Sequence, residues 1–242
     1  MRFHIYNDPS GVNKALADFF AQVCNAAIAQ KGYANVVLSG GNSPKQLHQL
    51  LASEYKDKLK WESISFFFGD EGYVPFDRPD NNGAMAKRTL FDPLHIDESQ
   101  VHYMNTALRP EEAARDYSSD IIAHFANKPI EFDFILLGLG DNVHTASLFP
   151  NTPVLEEKIA AVKSVFVEEI DAMRITMTAP LINKAKDIAF LVYGSGKAEA
   201  VHHATGGESN YRLYPAQLIS PVKGEVHWFL DKPAAALLKD QK

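Results

Sequence analysis

One stretch of sequence decides the fold class of this chain: FILLGLGDNVHTASLFP, residues 134–150. It begins with an apolar run long enough for a strand buried on both faces, and two glycines then break the run. In parallel sheets, ligands bind at the carboxyl ends of such strands, where polar loops emerge. His144 lies in this loop, where an imidazole can exchange a proton near neutral pH. A second interpretation stays open, in which His144 only caps a helix or fills a gap.

Strand-like and helix-like segments alternate on both sides of this stretch. Short apolar runs predict strands, and apolar residues at helical spacing predict helices. The predicted strands are 35–38, 64–68, 101–104, 132–137, 162–167, 174–177, 188–193 and 226–230, and the predicted helices are 12–31, 44–51, 82–90, 111–125, 179–186 and 197–204. This alternation predicts an α/β fold: a single domain over residues 1–242, with a mostly parallel, doubly wound, Rossmann-like sheet, helices on both faces and a small additional β/α portion.

Composition narrows the possible partners and the compartment. The 242 residues carry a formal net charge of −6, which argues against binding nucleic acid or anionic lipid through the overall field. No apolar stretch approaches the length of a membrane span, and the first residues lack the apolar core of a secretion signal. Cys24 is the only cysteine, so no disulfide can form within the chain. We therefore expect a cytoplasmic protein, with neither nucleic acid nor membrane as a partner.

The segment LSGGNSPK, residues 38–45, is a candidate anion site. A predicted strand runs into paired glycines and then into a helix, for which Ser43 suits the N-cap and Pro44 the first helical position. The free N–H groups and the dipole of a helix start favour an anion, and glycines let the backbone approach it. An ordinary tight turn into a capped helix would have the same sequence. The candidate binding residues are Ser39, Gly40, Gly41, Asn42, Ser43 and Lys45.

Charged and polar residues also follow other predicted elements. Asp70 and Glu71 come directly after a strand, where two carboxylates can bind sugar hydroxyls or act as a base, unless they form a solvated loop or a helix cap. Asn82 either begins a helix or lies in a wall of the same pocket. Arg174 and Lys197 lie where loops meet regular elements, so each can neutralise a phosphate, although isolated cations are more often solvated.

The histidines form no recognisable metal motif. No pair has the spacing H-E-x-x-H, and a single cysteine gives no Cys/His cluster. A G-x-S-x-G segment, which would indicate a serine hydrolase, is also missing from the sequence. We therefore expect a site without a metal.

Taken together, these segments resemble the glucosamine-6-phosphate isomerase/6-phosphogluconolactonase family. The matching segments are residues 38–44, 69–71, 74–75, 79–82, 138–140, 144–150, 174–176, 196–200 and 215–218, and HTASLFP at 144–150 is the most specific of them. The resemblance implies metal-free hydrolysis of 6-phosphoglucono-δ-lactone to 6-phosphogluconate in the pentose phosphate pathway, without a cofactor. It implies that His144 is the general base toward water. The implied substrate-binding set is residues 39–45 with Asp70, Asn82, Arg174 and Lys197.

Three positions depart from the family pattern. Asn142 and Val143 stand where the family commonly has Asp-Gly before the histidine, so a carboxylate that could orient the imidazole is missing. Gly72 stands where an arginine commonly follows the Asp-Glu pair, and Gly83 stands where an aromatic residue is common. The candidate replacements for the missing cation are Arg78 and Arg88.

Two other functions remain open at this point. An aminosugar-phosphate deaminase or isomerase belongs to the same family, but in the deaminases a glutamate lies five residues after the histidine, and here that position is Phe149. A non-catalytic sugar-phosphate-binding protein would also agree with the three departures. In each case the expected partner is a small sugar phosphate, and we expect a monomer or a small homo-oligomer.

Overall fold

A computed structural model describes residues 1–126, 128–206 and 208–238. Within those residues, nine strands form two sheets. The larger sheet has the order β1-β9-β8-β5-β2-β3 with all neighbours parallel, and the smaller sheet has the antiparallel order β4-β7-β6. The strands are β1 (Arg2–Tyr6), β2 (Ala34–Leu38), β3 (Ile64–Phe68), β4 (Asp70–Gly72), β5 (Phe132–Leu137), β6 (Val162–Val167), β7 (Ala172–Met177), β8 (Ala185–Val192) and β9 (Glu225–Asp231).

Seven α-helices lie in the described parts of the chain. They are α1 (Pro9–Lys31), α2 (Asn42–Glu54), α3 (Asn82–Ala86), α4 (Asp92–Leu94), α5 (Pro110–Phe125), α6 (Ala179–Ile182) and α7 (Ala198–Thr205). A π-helical turn at Lys87–Phe91 joins α3 to α4. The longest helix, α1, begins where the carboxylate of Asp8 accepts the N–H of Gly11 at 2.8 Å, and it ends at the left-handed Gly32.

Helices cover both faces of the larger sheet. Successive residues of a strand point to opposite faces, and β3 shows this with two fully buried phenylalanines. Phe66 faces Trp61, whose ring also contacts Phe20 of α1 at a centroid distance of 6.1 Å. Phe67 faces the other way and lies 5.0 Å from the ring of His124 in α5. The run of phenylalanines therefore reflects burial on two sides.

The order of strands reverses between β2 and β5. From β2 the chain passes outward to β3 at one edge, and it later enters β5 on the other side of β2 before continuing to β8 and β9. The loops that follow β2 and β5 diverge at this point, which leaves the crevice in which open α/β sheets bind ligands. These two loops are the glycine segment 38–45 and the segment that contains His144.

The predicted α/β fold class is confirmed, with local corrections. The predicted strand 101–104 is wrong, because the chain leaves a 3-10 turn at Glu98–Gln100 and its backbone pairs with the sheet only through an isolated bridge from Val101 to Phe66. The predicted helix 179–186 ends at Ile182, because residues 185 and 186 belong to the start of β8. Strands β1 and β4 were not predicted from the sequence.

Candidate active site

A cavity of about 1010 Å³ opens at the carboxyl ends of β2, β5 and β8. This volume is ample for a small ligand. Tyr193 and Thr89 also line the cavity. Tyr193 follows β8 directly, so the rule for parallel strands could have found it, whereas Thr89 lies within a helical segment and carried no such signal. All the residues predicted for the site line this one cavity: Ser39, Gly40, Gly41, Asn42, Ser43, Lys45, Asp70, Asn82, His144, Arg174 and Lys197.

The glycine loop begins its helix earlier than the sequence predicts. Gly41 has the left-handed φ of 99° and is the N-cap of α2, so Asn42 is already helical and Ser43 lies inside the first turn. The predicted N-cap role of Ser43 is therefore wrong, and so is the placement of Pro44 as the first helical residue. Gly40 is needed for a different reason, because a Cβ there would lie 1.7 Å from Oδ1 of Asn82. The loop backbone thus packs directly against the start of α3.

Asp70 and Arg174 form an ion pair at the cavity wall. Nη2 of Arg174 lies 2.7 Å from Oδ2 of Asp70, and the hydroxyl of Ser147 donates to the same oxygen at 2.5 Å. Nε of Arg174 also donates to the Ser147 hydroxyl. The two charges largely offset each other, and the contacts fix the guanidinium in place. Ser147 was quoted in the sequence motif without a role, since its contact with Asp70 spans 77 residues of sequence.

Glu71, the neighbour of Asp70, supports the structure beneath the cavity. Its carboxylate accepts the backbone N–H groups of Asn82 at 2.7 Å, Gly83 at 2.9 Å and Gly72 at 2.9 Å. Burial raises the pKa of Glu71 to about 7, while the N–H groups of Asn82 and Gly83 act in the opposite direction. The adjacent carboxylates therefore separate: Asp70 faces the cavity, and Glu71 binds the first turn of α3.

His144 is surrounded on three sides. Its ring stacks on Phe149 with centroids 3.9 Å apart and planes 14° apart. Gly140 lies close to the ring, since a Cβ there would be 2.0 Å from Nδ1 of His144. The side-chain oxygen Oδ1 of Asn142 lies 2.6 Å from the same nitrogen. Because Nδ1 is engaged by an oxygen that only accepts, it carries the hydrogen, and Nε2 keeps the free lone pair.

The imidazole of His144 is neutral at pH 7. Burial lowers its pKa to about 4, and the nearby charges of Arg174 and Lys197 act in the same direction. The negative charge of Asp70 acts in the opposite direction. This corrects the expectation that His144 exchanges its proton near neutral pH, although the neutral ring is the form that can accept a proton.

Further cations lie around the cavity. Nζ of Lys197 donates to the carbonyl of Leu139 at 2.8 Å and lies 2.6 Å from Oδ1 of Asp141. Of the two candidate replacements for a missing arginine, Arg88 lines the cavity. Arg78 instead pairs with Asp80, with Nε and Oδ1 3.2 Å apart.

The structure accounts for Gly83 among the departures in the sequence, but not for Val143. The space beside Gly83 is filled by other aromatic rings, because a Cβ there would lie 2.8 Å from Tyr103 and 3.3 Å from Phe76. Val143 is buried and has a φ of 65°, a conformation that a β-branched residue rarely adopts and a glycine adopts freely. Its N–H donates to the carbonyl of Gly140 at 3.0 Å, which closes the turn before His144.

The described residues contain neither a candidate metal cluster nor a membrane-spanning helix. No group of three or more His, Cys, Asp or Glu side chains within residues 1–126, 128–206 and 208–238 could bind a metal ion. In those same ranges, no helix has both the length and the apolar character needed to cross a bilayer.

Comparison with known proteins identifies the family. The profile described as Glucosamine-6-phosphate isomerases/6-phosphogluconolactonase matches residues 7–228. This chain belongs to that family. Among curated members, the 6-phosphogluconolactonase of Synechocystis sp. is 40% identical over 238 residues, which cover 94% of this chain and 96% of the relative. The chloroplastic 6-phosphogluconolactonase 3 of Arabidopsis thaliana is 36% identical over 98% of this chain and 75% of its own length.

Solved structures from the family share the fold. The 6-phosphogluconolactonase of Trypanosoma brucei superposes with a TM-score of 0.87 at 26% identity, covering 98% of each chain. The crystal structure of a protein named devB gives a TM-score of 0.88 at 30% identity, covering 98% of this chain and 99% of that one. The family resemblance inferred from the sequence motifs is thus confirmed.

Proposed function

We propose that this family member is a 6-phosphogluconolactonase, which hydrolyses 6-phosphoglucono-δ-lactone to 6-phosphogluconate in the pentose phosphate pathway. Curated relatives that match most of its length bear the name 6-phosphogluconolactonase. One observation carries the assignment to the site: a neutral imidazole, His144, lines the same cavity as a glycine loop and several cations.

Hydrolysis of the lactone requires one general base and hydrogen-bond donors for the developing oxyanion. Nε2 of His144 accepts a proton from a water as the water oxygen attacks the lactone carbonyl carbon. The tetrahedral intermediate then collapses, the bond from that carbon to the ring oxygen breaks, and the proton passes from the imidazolium to the ring oxygen. A lactone is an activated ester, so a positioned base with donors for the developing oxyanion is sufficient.

The rest of the cavity would bind the substrate away from the carbonyl. The start of α2 offers free N–H groups and the positive end of a helix dipole to the phosphate. Lys45 and Arg88 are exposed cations that line the cavity near this loop. Fixing the distant phosphate orients the lactone toward His144. The proposed binding residues are Ser39, Gly40, Gly41, Asn42, Ser43, Lys45, Asp70, Asn82, Arg174 and Lys197.

The remaining parts of the proposal concern the whole chain. We propose that residues 1–242 form one domain and that the protein acts as a monomer or small homo-oligomer on a small sugar phosphate, without nucleic acid or a membrane as partner. One continuous buried core supports the single domain. The single cysteine supports a cytoplasmic location, although curated plant relatives bear chloroplastic names.

A comparison of two histidine variants tests the function. His144→Ala is expected to lower the rate of lactone hydrolysis, measured above the spontaneous reaction, on the order of 100-fold or more. His202→Ala, at a partly exposed position on α7, serves as the matched control and should keep the native rate. Equal rates for wild type and His144→Ala would rule out His144 as the base and would favour the non-catalytic sugar-phosphate-binding protein.

The deaminase alternative has its own readout. Phe149 stacks on the ring of His144, at the position where the deaminases have a glutamate, so a carboxylate needed for aminosugar chemistry is missing. Incubation of the wild-type chain with glucosamine 6-phosphate should therefore release no ammonia in a coupled assay. Sustained ammonia release would reassign the chain to the other branch of the family.

A further inference from the structure

Three side chains form a hydrogen-bonded line behind the proposed base. Oε2 of Glu169 accepts from Nδ2 of Asn142 at 2.6 Å, and Oδ1 of Asn142 lies 2.6 Å from Nδ1 of His144. We propose that Glu169 is a positioning residue: by binding one side of the Asn142 amide, it fixes which ring nitrogen of His144 carries the hydrogen. The relevance of this contact to catalysis rests on the proposed function, but the contact itself does not.

The direction of the line follows from hydrogen-bonding capacity alone. An ionised carboxylate only accepts, so the NH₂ group of Asn142 must face Glu169. The amide oxygen then faces the ring, and since it also only accepts, Nδ1 of His144 must donate. The lone pair is left on Nε2. A single carboxylate at the outer end of the line thus determines the tautomer at its inner end.

An asparagine in this place needs a partner that sets its orientation. Its amide has an accepting end and a donating end of almost the same shape. If the amide turned over, its NH₂ group would face Nδ1, the hydrogen would move to Nε2, and the ring could no longer accept a proton from water there. The backbone N–H of His144 also favours the observed orientation, because it donates to Oδ1 of Asn142 at 3.1 Å. Glu169 supplies the second and charged contact.

Glu169 reaches the loop from the smaller sheet. It lies in the 3-10 turn Glu168–Ile170 that connects β6 to β7, and the contact with Asn142 spans 27 residues of sequence. The side chain of Glu169 is exposed, so water competes for its hydrogen bond and the expected effect is moderate. The hairpin of β6 and β7 therefore acts on the site twice, through Arg174 in β7 and through Glu169 in its turn.

A double-mutant cycle tests the proposal. In the native background, Glu169→Ala lets the Asn142 amide turn over, and kcat is expected to fall about threefold to tenfold while KM stays within about twofold. In the Asn142→Asp background a carboxylate accepts in either orientation, and it would also repel Glu169, so the same Glu169→Ala change is expected not to lower kcat. Glu168→Ala, in the same turn, controls for the loss of one charge and should leave kcat at its native value.

A second measurement reads the tautomer without turnover. The ¹⁵N chemical shifts of the His144 ring distinguish a nitrogen that carries hydrogen from one that does not. The wild-type chain should show hydrogen on Nδ1 only, and Glu169→Ala should show a mixture of tautomers. If the wild type hydrolyses no lactone but the shifts respond to Glu169→Ala, the proposed function fails and the positioning role stands.

Three results would overturn the positioning role while leaving the function intact. The first is an equal loss of kcat from Glu169→Ala in both backgrounds, and the second is no loss of kcat in the native background. The third is an unchanged set of ring shifts in Glu169→Ala, in a chain whose activity still depends on His144.

Discussion

The imidazole of His144 depends on the absence of a side chain at Gly140. The ring has Phe149 on one face and the Asn142 amide at Nδ1, so it has little room to move. A methyl group at position 140 would lie only 2.0 Å from Nδ1 of His144, which is a severe clash. The backbone of the two residues is joined as well, because the N–H of Gly140 donates to the carbonyl of His144 at 2.8 Å.

Gly140→Ala should therefore remove activity by displacing the base. We expect kcat/KM to fall on the order of 100-fold, since a displacement of about 1 Å can have that effect. Gly196→Ala is the matched control, because a Cβ there meets nothing within 4 Å. Steady-state kinetics of both variants give the comparison. A value of kcat/KM for Gly140→Ala within about threefold of the control would contradict this description of the ring.

At the scale of elements, the site residues were predictable where they follow buried strands. The bounds of β3, β5 and β6 agree with the predicted ones, because β3 and β5 are largely apolar segments that end at a glycine and β6 is rich in valine, which favours strands. Strand β1 was missed because, at the edge of its sheet, its residues are partly exposed and form no continuous apolar run. Strand β4 was missed because it is only three residues long, with the sequence Asp-Glu-Gly, and is defined by its pairing with β7.

Contacts between elements could not be predicted at all. Asp70 and Arg174 are 104 residues apart in sequence, and no local pattern reports that they form an ion pair. No local pattern reports the left-handed conformation of Gly41, which begins α2 early, or the packing of Gly40 against Asn82. The sequence therefore identified which residues gather at the cavity, but not which of them bind one another.

Glu71 offers a test of how α3 is attached to the sheet. Glu71→Ala would leave three N–H groups without their acceptor, so we expect the free energy of unfolding to fall by about 3 kcal/mol. KM should also rise, because Asn82 at the start of α3 lines the cavity. Urea unfolding measures the first effect and kinetics the second. Glu62→Ala, at an exposed position, is the control, and equal stability of the two variants would rule out this role for Glu71.

At the scale of the whole molecule, the charge of the chain and the charge of its cavity differ. The net charge of −6 repels an anionic substrate, while several cations are concentrated at the cavity. Binding of a sugar phosphate therefore has to come from short-range contacts rather than from long-range attraction. The cations that line the cavity are Lys45, Arg88, Arg174 and Lys197.

The buried His48 should make stability depend on pH. Burial lowers its pKa from 6.5 to about 4, so the unfolded chain binds a proton before the folded chain does. Stability is then lost as the pH falls from about 6.5 to about 4, by at most about 3 kcal/mol from this residue. His48→Met should flatten that part of the profile in urea unfolding between pH 7 and pH 4. The pH dependence that remains in His48→Met would include the contribution of His144. If the slope of stability against pH were the same in His48→Met as in the wild type, the prediction would be contradicted.

The pairing of β1 with β9 has a consequence for synthesis. Among the described strands, β9 is the only neighbour of β1 in the sheet, with a register that runs from Arg2 opposite His227 to Tyr6 opposite Asp231. A ribosome makes β1 well before β9, because residues 7–224 lie between the two strands. The backbone N–H and C=O groups of β1 that pair with β9 therefore lack these hydrogen-bond partners while residues 7–224 are made. This edge of the sheet can close only after β9 has been made.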